Sequence, residues 1–524
     1  MKRSRNPASP SWAAVRAAER SAVELPRHGR HRLALAYANR YHVGMSSLGF
    51  QRVHELVHRT PDWVAERFFV DGEGMPRSVE RDAPLSEFGA VAFSVSFEED
   101  YVHLLRMLDR AGIPLRREER GAGDPLVFLG GSCAAINPLP MAPFVDVFPL
   151  GAAENLLPAM QAALAEESDR EAVLERLAVA EGFFVPARHD PEELALGSKL
   201  KKLELTAEQM RQPGFLPTSC LVTPHTEFAE KFLIEMSRGC PEKCKYCWAT
   251  FGMGKFRAHP TELILAAMER ARGVTDQLGF VATAVGDHPE IERILAEAVR
   301  LGFRAAVSSI RIPAVTEGVL AALHASGDRA ITLAPETGTD RLRWIMNKPV
   351  PNALLLEKVR LIFRHGFREL KLYFIVGLPG ETMEDVEGIV DLAAACREAM
   401  LAETRASGRT GEIQLGVNLF VPKPYTPWQR EPMDAEESLA AKIALLKQGT
   451  ARLGNVRMTD NLSIRQAVWQ TLLSRGGAEV AAALVEVARG ATVARTLRGL
   501  RPLVAAEVFG ARQGEMRWHF LRMG

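Results

Sequence analysis

Between residues 231 and 421 the chain repeats one pattern six times: a short apolar, β-branched run, a loop rich in glycine or polar residues, then a stretch of helical period. Strands are expected at 231–237, 279–285, 304–310, 329–335, 369–377 and 412–421. Helices are expected near 260–273, 289–301, 315–326, 352–366 and 382–404. Strands joined through helices run parallel, and six such units predict a partial (β/α)6 barrel with its chemistry at the C-terminal ends of the strands.

The same alternation occurs upstream. Short β-rich runs at 33–37, 90–96 and 125–129 alternate with helical runs at 45–58, 101–111 and 153–166, which predicts a doubly wound parallel sheet over 31–165. The fold class is therefore α/β, with five regions. Residues 1–30 read as a basic, disordered tail; 31–165 as a Rossmann-type domain; 166–230 as a linker; 231–428 as the barrel; and 429–524 as a helical region.

The loop after the first barrel strand carries Cys240, Cys244 and Cys247 at C-x3-C-x2-C spacing. Three thiolates can hold three irons of a cubane cluster and leave the fourth open to a ligand that is not protein. A single zinc ion would call for a fourth Cys or His nearby, and the sequence offers none. Lys243 and Lys245 read either as solvated surface lysines or as charges offsetting such a cluster. Cys133, Cys220 and Cys396 are scattered and read as small buried hydrophobes.

Later strand ends carry 285–289 (VGDHP), 308–311 (SSIR), 333–338 (LAPETG) and 376–381 (VGLPGE). Each alone is explained by a cap or tight turn; four in successive loops downstream of the cysteines point to a ligand. Gly286 and Gly377 permit close backbone approach, Glu336 can accept from a hydroxyl or an ammonium, and Arg311 can pair with a carboxylate.

With the cysteine loop, the runs 308–381 and 420–427 and the front segments 43–49 and 130–134, the chain resembles radical S-adenosylmethionine (SAM) proteins that carry an N-terminal B12-binding-like domain. The resemblance spans roughly 31 to 475. It implies a [4Fe-4S] cluster on the three cysteines whose open iron is chelated by SAM. It further implies SAM contacts at Gly286, Asp287, Arg311, Glu336 and Gly377, and an adenine contact at Tyr246. Tyr246 reads equally as an aromatic filling the core of its own loop.

In the front domain the resemblance places a cobalamin nucleotide tail along Ser94, Ser96, Gly130 and Gly131. The D-x-H-x-x-G element of a histidine-ligated cobalamin is broken at 39–44, so His42 is not expected to bind cobalt. The domain either binds cobalamin without a protein ligand or only packs on the barrel.

The activity implied is reductive cleavage of SAM to a 5′-deoxyadenosyl radical, with cobalamin-dependent methyl transfer as a possible second step. A flavodoxin- or ferredoxin-type protein would be the reductant. Alternatives are a methylthiotransferase, which needs three further clustered thiolates, and a non-catalytic iron–sulfur or SAM sensor. A formal net charge of +1 gives no indication of a nucleic-acid partner. No apolar run is long enough for a membrane span, and the expected location is the cytoplasm.

Overall fold

The computed structural model describes residues 11–523 apart from 71, 73, 168, 406, 407, 460 and 461. In the front layer, four parallel strands lie in the spatial order Trp63–Phe68, His31–Tyr37, Ala90–Ser94, Leu126–Gly130. The first of these in sequence is buried without interruption from Leu33 to Tyr37, as a parallel sheet covered on both faces requires. Helices Leu48–Arg59 and Ala153–Glu166 pack on one face and Tyr101–Arg110 on the other. The order of connections reverses between His31–Tyr37 and Ala90–Ser94, so a crevice opens beyond the C-terminal ends of those two strands.

The second layer holds seven parallel strands in two sheets. Lys231–Glu235, Gln277–Val281 and Arg304–Val307 form one; Ala330–Glu336, Glu369–Val376, Glu412–Leu419 and Val456–Thr459 form the other. A hydrogen bond from the Ile310 amide to the Thr332 carbonyl at 3.1 Å bridges them. The last strand extends the six expected units and lies in what reads from sequence as helical territory.

Along Glu369–Val376, Leu370, Leu372, Phe374 and Val376 are fully buried, while Tyr373 faces the other way and is 42% exposed. One face of this sheet thus carries the core and the other is open, as a partial barrel with an accessible concave side requires.

Two stretches that read from sequence as loose are packed in the fold. Residues 1–10 lie outside the described residues, but the rest of the basic segment is not a loose tail. Ser11 caps the helix Trp12–Ala18, Val15 is fully buried, and Arg20–Ser21 pairs antiparallel with Leu221–Val222. The helix Arg170–Ala178 sinks Val173, Leu174 and Leu177 into the front core and Arg170 donates to Asp146 at 2.5 Å, so it belongs to the front layer rather than to a linker. Farther along the same stretch, Leu200–Lys201 pairs with Leu521–Arg522 and ties the end of the chain back to the front layer.

The C-terminal helices Ile464–Arg475 and Ala481–Ala488 clamp the two layers together. Arg106 donates to the Val487 and Ala488 carbonyls at 3.0 Å, and the Asn137 amide donates to Ser474 at 3.1 Å and Gly476 at 2.7 Å. Lys423, from the loop after the sixth barrel strand, pairs with the buried Glu98 of the front layer. Such bonds contribute about 1 kcal/mol each, but leaving one partner buried alone costs more, which holds the layers in one register. Among the described residues no helix is long and apolar enough to cross a membrane.

Candidate active site

The cysteine loop is built on a clamp. Ser237–Arg238 pairs antiparallel with Arg257–Ala258 and closes the loop at its base. Gly239 adopts φ +74°, and a Cβ there would stand 2.5 Å from the Gly254 carbonyl oxygen, so the turn into Cys240 accepts only glycine. Farther on, the Lys245 amide donates to Met346 at 2.9 Å and the Asn347 side chain donates to the Lys243 carbonyl at 2.9 Å.

Cys240 and Cys247 are half-buried and Cys244 is buried. Burial, helped by the neighbouring Cys247, Glu336 and Cys240, pushes the Cys244 thiol up to about 12 against the opposing pull of Lys348. Among the described residues no three His, Cys, Asp or Glu side chains converge as the ligands of one metal ion do. A trio of thiols on one short loop, with no fourth donor, fits instead a polynuclear cluster whose corners are gripped one by one.

Two of the expected ligand contacts meet each other beside the loop. Tyr246 donates its hydroxyl to Glu336 at 2.7 Å, and Lys348 Nζ donates to the same carboxylate oxygen at 2.7 Å and to the Ala334 carbonyl at 2.7 Å. Burial and the Glu336 charge push the Tyr246 phenol well up, so it stays protonated. The Tyr246 ring packs on Leu342, Met346, Leu378, Phe420 and Trp428, so it fills a small core as well as making a polar contact. Glu336 sits at φ +68° after a register shift in its strand. Holding a non-glycine residue there costs on the order of 1 kcal/mol or more, and such strain is typical of functional positions.

A second group closes over the other side. Arg311 pairs with Asp287 at 2.7 Å and with Glu242 of the cysteine loop at 2.7 Å. Burial raises the Asp287 carboxyl against the pull of Arg311, and its Oδ2 is buried with no hydrogen-bond partner. An unmet acceptor in this position fits a ligand that brings a hydroxyl or ammonium donor, as SAM does.

Gly286 and Gly377, both expected to touch SAM, each lie close against a neighbouring element. A Cβ at Gly286 would lie 2.7 Å from that of Ala314, and one at Gly377 would lie 2.7 Å from Leu439 Cδ2. The Gly377 amide is also taken by Glu381 at 2.7 Å. Both glycines therefore allow close packing between elements. Glycine marks close approach without saying what approaches, which is why the sequence alone reads either way.

Ser94, Ser96, Gly130 and Gly131 do come together. They line a cavity of about 640 Å³ between the front sheet and the first three barrel strands. Its floor is apolar, formed by Leu33, Leu35, Phe128, Leu156 and Met160, and its barrel side is Glu235, Ser237, Arg238, Gly239 and Thr283, next to Cys240. Gly131, at φ +95°, would drive a Cβ to 2.4 Å from the Val95 carbonyl oxygen; Gly130 has only Pro149 and Phe93 within 4 Å. No histidine lines the space, and His42 lies outside it, half-exposed and bonded to Glu227 at 2.9 Å.

Sequence reasoning misses the charged groups of this cavity. Arg238 joins Glu235 at 2.8 Å and Glu154 at 3.4 Å, and Arg52 reaches Glu154 at 3.1 Å, so one acid ties the front layer to the stem of the cysteine loop. Lys202 is buried beside Glu204, donates to the Gly252 carbonyl at 2.9 Å and lies 5.5 Å from the Trp248 ring centroid. Burial, reinforced by Arg238 and Arg257, pushes its amine down to about 7. These residues come from five separate stretches of chain, and no local motif marks them.

With this geometry in place, the chain can be compared with known proteins. Residues 234–393 match the radical SAM superfamily model, and residues 49–186 match the model for the N-terminal part of radical SAM proteins. The barrel region of the chain is thus similar to the radical SAM superfamily and the front region to the N-terminal part of such proteins. Over 449 residues it is 24% identical to an uncharacterized protein, MJ0966, of Methanocaldococcus jannaschii, covering 85% of this chain and 88% of that one. It is 25% identical over 244 residues to the ribosomal protein uS12 methylthiotransferase RimO of a Synechococcus species, covering 43% of this chain and 50% of RimO. Among solved structures, the cobalamin-dependent SAM radical enzyme OxsB, with aqua-cobalamin and SAM bound, aligns at 12% identity and TM-score 0.45. That alignment covers 70% of this chain and 52% of OxsB. The matched stretches thus cover only about half of OxsB and of RimO.

Proposed function

We propose that this protein binds a [4Fe-4S] cluster through Cys240, Cys244 and Cys247 and cleaves SAM reductively. The observation that carries this reading is the C-x3-C-x2-C loop that follows the first barrel strand, set beside the buried, unmet acceptor of Asp287. Cys240, Cys244 and Cys247 would hold such a cluster, which would supply the electron for reductive cleavage of the S–C5′ bond of SAM.

The chain's own contribution is placement. Glu336, fixed by Tyr246 and Lys348, offers a charged acceptor beside the thiols. The Arg311 bridge to Glu242 and Asp287 holds the loop against the second and third barrel strands.

We further infer that the cavity over Ser94, Ser96, Gly130 and Gly131 is a cobalamin site. Its apolar floor runs into the front sheet and its other wall is the stem of the cysteine loop, so a corrinoid would sit between the two. Bound there, it would supply a methyl group for transfer to the substrate radical. With no histidine in the lining, it would be held without a cobalt ligand from the protein.

The methylthiotransferase alternative needs a second trio of thiolates. Cys133, Cys220 and Cys396 are all buried in separate elements; Cys220 is engaged with Gln51, and Cys396 lies within the helix Met383–Thr404. The arrangement gives that alternative no support.

The test is anaerobic incubation of iron- and sulfide-loaded protein with SAM and dithionite. Formation of 5′-deoxyadenosine is expected. A protein that binds SAM yet releases none would be a sensor, and the catalytic reading would fall.

A further inference from the structure

A second cavity, of about 790 Å³, follows the edge of the front sheet. Its lining comes from the edge strand Trp63–Phe68, from the helix Leu48–Arg59 and from the segment 16–28, and none of it is shared with the cavity beside the cysteine loop. The helix serves both spaces. It gives Arg52 and Val53 to the first and His54 and His58 to the second.

Its walls carry an excess of positive charge. Arg67 holds Glu19 at 2.6 Å and Glu80 at 2.6 Å, while Arg32 and Arg81 both donate to one oxygen of Glu66, at 2.8 and 2.5 Å. That engages every glutamate of the lining. Arg16 donates to the Val79 carbonyl and, like Arg27, forms no ion pair among the described residues. Five arginines against three glutamates leave two positive charges over. Two buried atoms are also unmet: Glu66, 2% exposed, has no hydrogen-bond partner at Oε2, and His54, 3% exposed, has none at Nε2. Burial, with Arg67 and His58 nearby, holds the His54 imidazole well below its usual range, so that nitrogen is uncharged. Unmet buried polar atoms are uncommon in folded proteins and suit a site that receives a ligand's polar groups.

We propose that this cavity binds a phosphate monoester of a hydroxylated carbon skeleton, a sugar or nucleoside phosphate. Such a group carries close to two negative charges at neutral pH, which matches the excess, and its three oxygens can accept from several guanidinium groups at once. Hydroxyls of the skeleton supply donors for Glu66 and His54, and Val23, Leu25, Val64 and Leu221 give its carbon face an apolar wall. The volume lies within the range of small-molecule sites. A metal ion fits less well, because among the described residues no three His, Cys, Asp or Glu side chains converge as its ligands would.

The test is calorimetric titration of the full-length, cluster-loaded protein with uridine monophosphate, ribose 5-phosphate and inorganic phosphate, repeated on Arg27→Ala and on the Arg16→Ala, Arg27→Ala double variant. Both arginines are exposed and neither is held by a carboxylate, so fold and cluster content should match the parent. At least one ester is expected to bind with a Kd below about 1 mM, and the double variant to weaken it roughly tenfold or more. Tight binding of uridine monophosphate alone would assign the site to a nucleoside phosphate; equal binding of ribose 5-phosphate would assign it to the sugar phosphate. Binding of neither ester, ester binding unchanged in the double variant, or inorganic phosphate bound as tightly as the esters would overturn the proposal.

Discussion

Cys244→Ala is expected to strip the protein of iron and acid-labile sulfide and to leave 5′-deoxyadenosine formation at background. Cys244 is the most deeply buried thiol of the three, between Tyr246, Lys348 and Glu336, and two half-buried thiols cannot fix the cluster alone. The fold should survive, because the loop is held independently by the Ser237–Arg238 pairing, by Gly239 and by the bonds to Met346 and Asn347. Removing one buried sulfur costs on the order of 1 kcal/mol, so circular dichroism and the melting temperature should change little. Metal and sulfide analysis beside a melting curve checks both halves. Retention of about four irons per chain by the variant would show that these thiols are not the ligands.

Gly130→Leu is expected to abolish corrinoid retention while leaving cluster content intact. Gly130 ends its strand without a positive φ, and a Cβ there meets Pro149 at 3.6 Å, an ordinary contact, so a larger side chain is tolerated by the backbone and occupies the cavity instead. Cobalamin remaining bound through gel filtration should drop at least about tenfold, which corresponds to roughly 1.4 kcal/mol of lost binding. Gly131→Ala makes the contrasting control. At φ +95° with the Val95 carbonyl 2.4 Å away, that change strains the turn itself and should lower the melting temperature. If Gly130→Leu binds cobalamin as the parent does, the corrinoid lies elsewhere or does not bind specifically.

The parts of the molecule legible in the sequence are those with a strong local signal. Parallel strands buried on both faces read as apolar runs, and the cysteine loop reads from spacing alone. Tyr246 and Glu336 both read as ligand contacts, and the fold adds that they bond to each other and that Lys348 joins them. Val456–Thr459 escapes a sequence reading because it is a four-residue edge strand with only Val456 buried, set among helices. The helix Trp12–Ala18 escapes because a basic, alanine-rich segment with one buried apolar side chain resembles a solvated tail.

The cavity is the least legible feature. Glu154, Lys202 and Arg238 belong to no local motif, and they meet only because the front helix Ala153–Glu166, the segment around Leu200–Lys201 and the stem of the cysteine loop pack together. Gly286 and Gly377 read from sequence as positions of close backbone approach, and the fold adds that Ala314 and Leu439 are among what approaches them.

The open iron can be tested directly by electron paramagnetic resonance of the anaerobic, dithionite-reduced protein before and after addition of SAM. A signal from a reduced [4Fe-4S] cluster that shifts on SAM addition is expected, because SAM would bind the corner no side chain occupies. A colourless protein without such a signal, or a cluster spectrum indifferent to SAM, would contradict it.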